Sequence, residues 1–339
     1  MARYLQAETK EDGSRAMFTS GRRPSFTTLG KETKGARTAE EALKEAQLDW
    51  QVFKSEEPVT TMVPMLGKTA MEEGSLQPIS FKDKFMTYRF NPITNEPEAL
   101  GVVGSRYTPV QNLEAFSLLN NIADDSGAVF EGAGSLDGGK KVFMTMKLPE
   151  GIQVGGVDNV DMYLLAWNAH DGSSSFSIHV TPIRLWCTNQ VRMIMRTAQS
   201  SYTLRHTPRV NGKVLAAREA LGLTFKYVEA FEREAELLLS QKYSDKEFYR
   251  LVETLIPIDE ENERTRNVAE EARQNLVGLW KAPTQENILN TKWAAYNAVA
   301  EYADWTKPVR GTNVDNARAV KTITGLADRF KNKALTLLS

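Results

Sequence analysis

Apolar and polar positions first fall into a recognisable rhythm at residues 38–47, where Ala42, Leu43 and Ala46 make one side of a short helix. Thr38 stands at its N-cap and Glu41 at the capping-box position. LDWQVF then turns to extended structure. From about 79 to 110 the period drops to two: FMTYRF, a turn at NPITNEP, and ALGVVGSRYTPV predict a β-hairpin. A helical period returns in NLEAFSLLNNIADDSG, with Asn112 as candidate cap, Phe116, Leu119 and Ile122 on one face, and Gly127 as terminator.

Two further hairpins follow. AVFEGAGSL and KKVFMTMKLP flank a DGG turn, and DMYLLAWNA and SFSIHVTPIRLW flank HDGSS. In the last strand Phe176, Ile178 and Val180 face one side, with Ser175, Ser177, His179 and Thr181 on the other. Pro182 implies an edge or a bulge. Residues 189–199 read as a helix with Val191, Ile194, Met195 and Ala198 inward and Arg192, Arg196 and Gln199 outward. Beyond residue 213 the chain reads as helical almost throughout, with a capping box at Ser244 and Glu247 and breaks at Pro257, Pro283 and Pro308. The expected fold class is α+β: a central antiparallel β-meander flanked by helices, with an N-terminal arm and a mostly helical C-terminal region. The expected divisions are 1–37 (flexible basic arm), 38–78 (short helix and extended linker), 79–212 (α+β core) and 213–339.

Charge distribution adds what periodicity cannot. The 339 residues carry a formal net charge of only -1, so any affinity for a polyanion must come from local segregation. Gly172–Arg218 contains no Asp or Glu, seven Lys or Arg, and two of the three His. Residues 219–275 reverse this, with fourteen acids against eight bases, and residues 1–37 hold eight bases against four acids. Phe176, Trp186 and Tyr202 interleave with Arg184, Arg192, Arg196, Arg205 and Arg209, a mixture suited to phosphates and unstacked bases. A solvated basic face balanced by acids elsewhere is the alternative.

Other motifs favour structural roles. Gly134–Lys141 approaches a phosphate-binding loop, but Lys141 replaces the Ser or Thr that would hold Mg²⁺, and the segment lies between two strands, so a Gly-rich turn is expected and ATP hydrolysis is not. His170-Asp171-Gly172-Ser173 reads as a turn. Trp280, Trp293, Tyr296, Tyr302 and Trp305 sit at helical intervals among Leu, Ala and Val, a core pattern. Cys187 is the single cysteine, which excludes an intrachain disulfide and points to a reducing, cytoplasmic location. No secretory signal or membrane-length apolar run is evident. No catalytic constellation, metal set or cofactor is expected.

LGVVGSRYTPVQNLEAF (100–116), FEGAGSLDGGKKVF (130–143) and HDGSSSFSIHVTPIRLWCTNQ (170–190) together resemble a phage- and plasmid-like family labelled only as a domain of unknown function. More distantly, the order helix, β-meander, helix resembles the single-strand annealing proteins, the superfamily of RecT, Red-beta and Rad fifty-two. That resemblance implies an oligomeric ring or filament in the bacterial host cytoplasm that holds single-stranded DNA in a basic groove and pairs it without ATP. The N-terminal arm and the acidic C-terminal helices are the expected sites for subunit contacts or for recruiting a phage or host replication or recombination protein. Local charge and the face pattern nominate Lys140, Lys141, His179, Arg184, Trp186, Arg192, Arg196, Arg205 and Arg209 as nucleic-acid-binding residues. A phage structural or assembly protein, with the arm strapping neighbouring subunits, is the alternative. A metal-dependent nuclease is disfavoured by the sparse His and unclustered carboxylates.

Overall fold

The computed structural model describes residues 17–19, 31–32, 36–66, 74, 76–184, 187–188, 201–204, 213–259, 261–309 and 328–339. It is a mixed α+β fold, with antiparallel sheets in the N-terminal and central parts and a mainly helical C-terminal region.

The central sheet is built from β6 (Val129–Leu136), β7 (Lys141–Lys147), β9 (Asp158–Ala169) and β10 (Phe176–Arg184), each antiparallel to the next. These four form the expected meander, with the short β8 (Ile152–Val154) paired to β9. β11 (Cys187–Thr188) and β12 (Ser201–Leu204) both pair with the outer edge of β10. Pro182 falls between the stretches of β10 paired with β12 and β11, and on the other side stands opposite Met162 of β9. At the other end β1 (Met17–Thr19) joins β6, and β2 (Lys31–Glu32) lies parallel to β1. The arm thus contributes strand to the sheet.

A second sheet consists of β3 (Phe53–Pro64), β4 (Leu76–Phe90) and β5 (Pro97–Gly104). The hairpin expected within about 79–110 is present as β4 and β5, while the stretch expected as an extended linker is β3, paired along β4 through two register shifts. β5 reaches only as far as Lys84, so β3 and β4 continue beyond it as a two-stranded ribbon.

Helix α1 (Ala39–Glu45) begins as expected: the Glu41 N–H donates to Thr38 Oγ1, and Ala42, Leu43 and Ala46 are buried. Glu41 itself accepts from the Arg37 N–H rather than from Thr38. The next helix divides at Ser117 into α2 (Asn112–Phe116) and α3 (Leu118–Ser126), ended by left-handed Gly127. Gln111, not Asn112, occupies the N-cap position. Its side chain exchanges two hydrogen bonds with the Val52 backbone, and Asn112 turns inward.

The C-terminal helices are α4 (Lys213–Ser240), α5 (Asp245–Leu255), α6 (Glu263–Trp280), α7 (Lys292–Glu301) and α8 (Asp328–Leu338), with a 3-10 turn at Pro283–Ile288 and a π turn at Tyr302–Thr306. Ser244 and Glu247 form the expected capping box, and α5 ends before Pro257. Helix α7 is buried from Trp293 to Ala300, all round its circumference, so it is the axis of the helical layer. Trp280, Trp293, Tyr296 and Tyr302 are buried, as the core pattern expects, and Trp305 is half-buried. Trp280 stacks on Phe248 with ring centroids 4.5 Å apart. One continuous core joins Phe130, Met144, Leu164 and Phe176 of the sheet to Phe231, Trp293 and Tyr296 of the helices. Trp293 Nε1 fixes the two layers by donating to Asp158 Oδ2 at 2.6 Å.

Candidate nucleic-acid interface

Alternation along β10 divides its side chains between two environments. Phe176, Ile178 and Val180 enter the core, where Phe116 meets the Phe176 ring edge-on at 5.8 Å. Ser177 and His179 have the opposite parity. Ser177 Oγ and His179 Nε2 lie 2.8 Å apart, and the histidine is half-buried. Register carries this face across the sheet: Thr145, Leu165, His179 and Ser201 form one row, and Phe143, Trp167, Ser177 and Thr203 the next.

Toward the inner strands the face is balanced by acids. Lys147 Nζ donates to Asp161 at 2.8 Å and lies 5.9 Å from the centre of the Tyr163 ring. Glu131 occupies the bulge between Phe130 and Gly132. Burial pushes its carboxyl upward, Lys147 opposes the shift and Asp161 adds to it. Burial likewise raises the Tyr163 hydroxyl, reinforced by Glu131 and Asp161. At the outer edge β10, β11 and β12 all come from the acid-free stretch, and Arg184 is the one Lys or Arg among the residues of these three strands.

The nominated residues separate accordingly. His179 is central on β10. Arg184 is its last residue, in register with Cys187. Lys140 and Lys141 lie at the β6–β7 hairpin, at the opposite end of the sheet and about 30 Å from Arg184 along the strand direction. Lys141 Nζ is 3.8 Å from Asp137, and the Lys140 carbonyl accepts the His170 N–H. Trp186, Arg192, Arg196, Arg205 and Arg209, with the expected 189–199 helix, lie outside the described residues.

The near-phosphate-loop motif is a hairpin turn between two strands, with Asp137, Gly138 and Gly139 all at positive φ. The HDGSS segment is also a turn: Asp171 Oδ1 accepts the Ser173 N–H, and Gly172 has φ +75°. His170 is nonetheless fully buried, with Nε2 2.8 Å from Asn112 Oδ1 while Asn112 Nδ2 donates to the Leu48 carbonyl. Trp50 meets the His170 ring edge-on at 5.4 Å and lies under the Arg89 guanidinium at 4.5 Å. Arg89 is buried and donates to Glu98. Thr87 Oγ1 donates to the His170 carbonyl, and a Cβ on Gly101 would fall 2.5 Å from the Asp171 Cα. Tyr107 donates its hydroxyl to the Ala169 carbonyl, and burial together with Asp171 pushes that hydroxyl up to about 12.

The three quoted motifs thus converge on one junction, where two hairpin tips of the central sheet seat against the second sheet. Sequence reasoning did not find its centre, Arg89 with Trp50. An arginine in FMTYRF has the alternation of a solvent-facing residue, and the signal lay only in Gly139, which makes room for it. Residues 99–324 match the model of a domain of unknown function, DUF932. The chain belongs to that family. The DUF932 match covers the hairpin tips of the central sheet with Gly101, Tyr107 and Asn112, omits Leu48, Trp50, Thr87, Arg89 and Glu98, and runs through the helical region as far as residue 324, short of α8. No curated protein and no solved structure matches the chain. Among the described residues no group of His, Cys, Asp and Glu could hold a metal ion, and no helix is long and apolar enough to cross a membrane.

Proposed function

We propose that this DUF932 protein binds single-stranded DNA without nucleotide and anneals complementary strands, acting as an assembly of copies in a phage or related element. The observation that carries this reading is the outer edge of the central sheet: its three strands, β10 to β12, are drawn wholly from a stretch with seven bases and no acid. Arg184 is the one base within those strands, and the stretch as a whole would attract phosphates by a salt-dependent, sequence-independent force and leave bases free to pair. The helix-then-meander order of α2, α3 and β6 to β10 is that of the annealing proteins, which supports the analogy of architecture. Pairing two strands makes and breaks no covalent bond, so no catalytic group or cofactor is required. A phage or host replication protein would be the partner at the acidic helical surface.

The test is binding to a fluorescent single-stranded oligonucleotide across a salt series without nucleotide, followed by annealing to its complement. Affinity that falls steeply with salt, with accelerated annealing, is expected. Arg192→Glu with Arg196→Glu should remove most of that affinity in a folded protein, whereas Lys141→Glu should remove little because Lys141 sits beside Asp137. Absence of binding at low salt overturns the reading.

A second reading, a structural or assembly protein of the virion, is favoured by the exposed apolar ribbon of β3 and β4. Closed shells or incorporation into particles, in place of DNA-responsive rings or filaments, would select it.

A further inference from the structure

The second sheet has one covered face and one open face where its three strands overlap. The inner face carries Thr87, Arg89 and Val103, all buried against the hairpin tips of the central sheet. Alternation gives the outer face Met86, Tyr88 and Phe90 of β4, with Phe53 of β3 opposite Tyr88 and Val102 of β5 opposite Met86. The three rings form one cluster. Phe53 stacks on Tyr88 with centroids 5.4 Å apart, and Phe90 meets Phe53 and Tyr88 edge-on at 5.9 and 6.2 Å. Even so, Phe53 (36%), Met86 (38%), Phe90 (45%) and Val102 (55%) remain exposed. Next along this face of β4 comes Lys84, opposite Gly104, which precedes Arg106 by two residues. Both cations are exposed, and neither is ion-paired among the described residues.

We infer that this outer face is a stacking platform for the bases of a single-stranded nucleic acid, with Lys84 and Arg106 receiving its phosphates. Three features select that occupant. Clustered rings standing on a sheet offer π-faces to unpaired bases of any sequence, and a platform of this size takes two or three of them. The four exposed apolar side chains present roughly 350 Å² on a single face, under half of the ~800 Å² that each partner brings to a stable protein contact, so a small flat occupant fits better than a protein surface. Charge supplies the third feature. Glu98 falls in the inner row, where Arg89 neutralises it, and Asp83 has the opposite parity to Lys84 on β4. Glu56 and Glu57 lie in the β3 bulge and Glu96 beyond Phe90 at the hairpin turn, so a phosphate backbone is directed away from them, to the end where Lys84 and Arg106 stand.

This deepens the proposed function by naming where the bases lie, and it rests on that reading. The full chain is titrated with a fluorescent single-stranded oligonucleotide and with an abasic strand of the same length. Phe53→Ala with Phe90→Ala should weaken binding to the oligonucleotide about tenfold or more, with the salt slope unchanged and binding to the abasic strand unaltered. Lys84→Gln with Arg106→Gln should instead flatten the salt slope on both strands. Tyr249→Ala, exposed on α5, should change neither. As a check independent of the alanine variant's folding, Phe90→Trp should keep wild-type affinity and give an emission change with the oligonucleotide that wild type lacks and the abasic strand does not produce. A folded alanine variant of unchanged affinity, an equal loss on the abasic strand, or no emission change overturns the inference. Where the oligonucleotide still binds, those results leave annealing standing and assign the face to a protein partner. Wild type that binds no oligonucleotide sinks both readings.

Discussion

Arg89 lies so close over Gly139 that a Cβ there would fall 2.4 Å from the guanidinium carbon. The arginine cannot swing aside: it is fully buried, stacked on Trp50 and bonded to Glu98 at 2.8 Å. Gly139→Ala should therefore strain its own backbone at φ +83° and dislodge a buried charge, costing about 3 kcal/mol or more. Gly138→Ala, at φ +67° with nothing within 4 Å, should cost about 1 kcal/mol. Urea midpoints at constant m-value would separate the two. Equal losses would mean that the arginine yields freely.

Lys331 and Asp304 form an ion pair at 3.0 Å with neither side chain exposed. Removing one partner strands the other's charge, so Lys331→Met and Asp304→Leu should each cost about 3–5 kcal/mol. The double variant should lose clearly less than the sum. A thermodynamic cycle on the four proteins measures this, and additive losses would show that the two charges do not depend on each other.

Two carboxylates should respond to acid in opposite senses. Burial disfavours the charged form of Glu98, but hydrogen bonds from Asn91 and Arg89 outweigh it and hold the carboxyl below its usual range. Its contribution is complete above the unfolded pKa of about 4.3 and is lost as pH falls through the lower folded value. Glu131 is raised by burial, so the folded state binds its proton more readily, and stability falls as pH rises from about 4.3 through the folded value. Glu131→Gln should consequently be more stable than wild type at pH 7, with the gain disappearing on acidification. Glu98→Gln should be less stable at pH 7, with the loss shrinking. Denaturation at several pH values tests both signs.

Much of this architecture is legible in the chain because its signals are local. Ser244 and Glu247 are three residues apart and cap α5 as a box. Asp137, Gly138 and Gly139 turn a hairpin whose strands alternate on either side. Long-range partners defeat that kind of reasoning. Asn112 has the chemistry of a cap, yet the Leu48 carbonyl and His170 claim its side chain, and Gln111 takes the position. Residues 53–64 carry two prolines and bulges, so their pairing with β4 breaks the regular alternation by which a strand is recognised. For the candidate nucleic-acid interface, composition marks the acid-free stretch, but only register reveals that Lys141 and Arg184 lie at opposite ends of the sheet.

Trp293→Phe keeps most of the ring while deleting the donor to Asp158. Both residues are buried, so loss of a hydrogen bond to a carboxylate should cost about 1.5–3 kcal/mol. Hydrogen exchange should quicken at the start of β9 as well as in α7. Faster exchange confined to α7 would show that the bond does not couple the layers.

That tryptophan and its aspartate are separated by 135 positions in the chain. A ribosome has therefore released every strand of the central sheet well before the helix that covers it emerges. The nascent meander must wait with Met144, Met162 and Phe176 uncovered, and closing so long a loop is slow. Fragments ending before residue 293 should collect as aggregates, and a host chaperone would find its substrate in the interval between the last strand and the seventh helix.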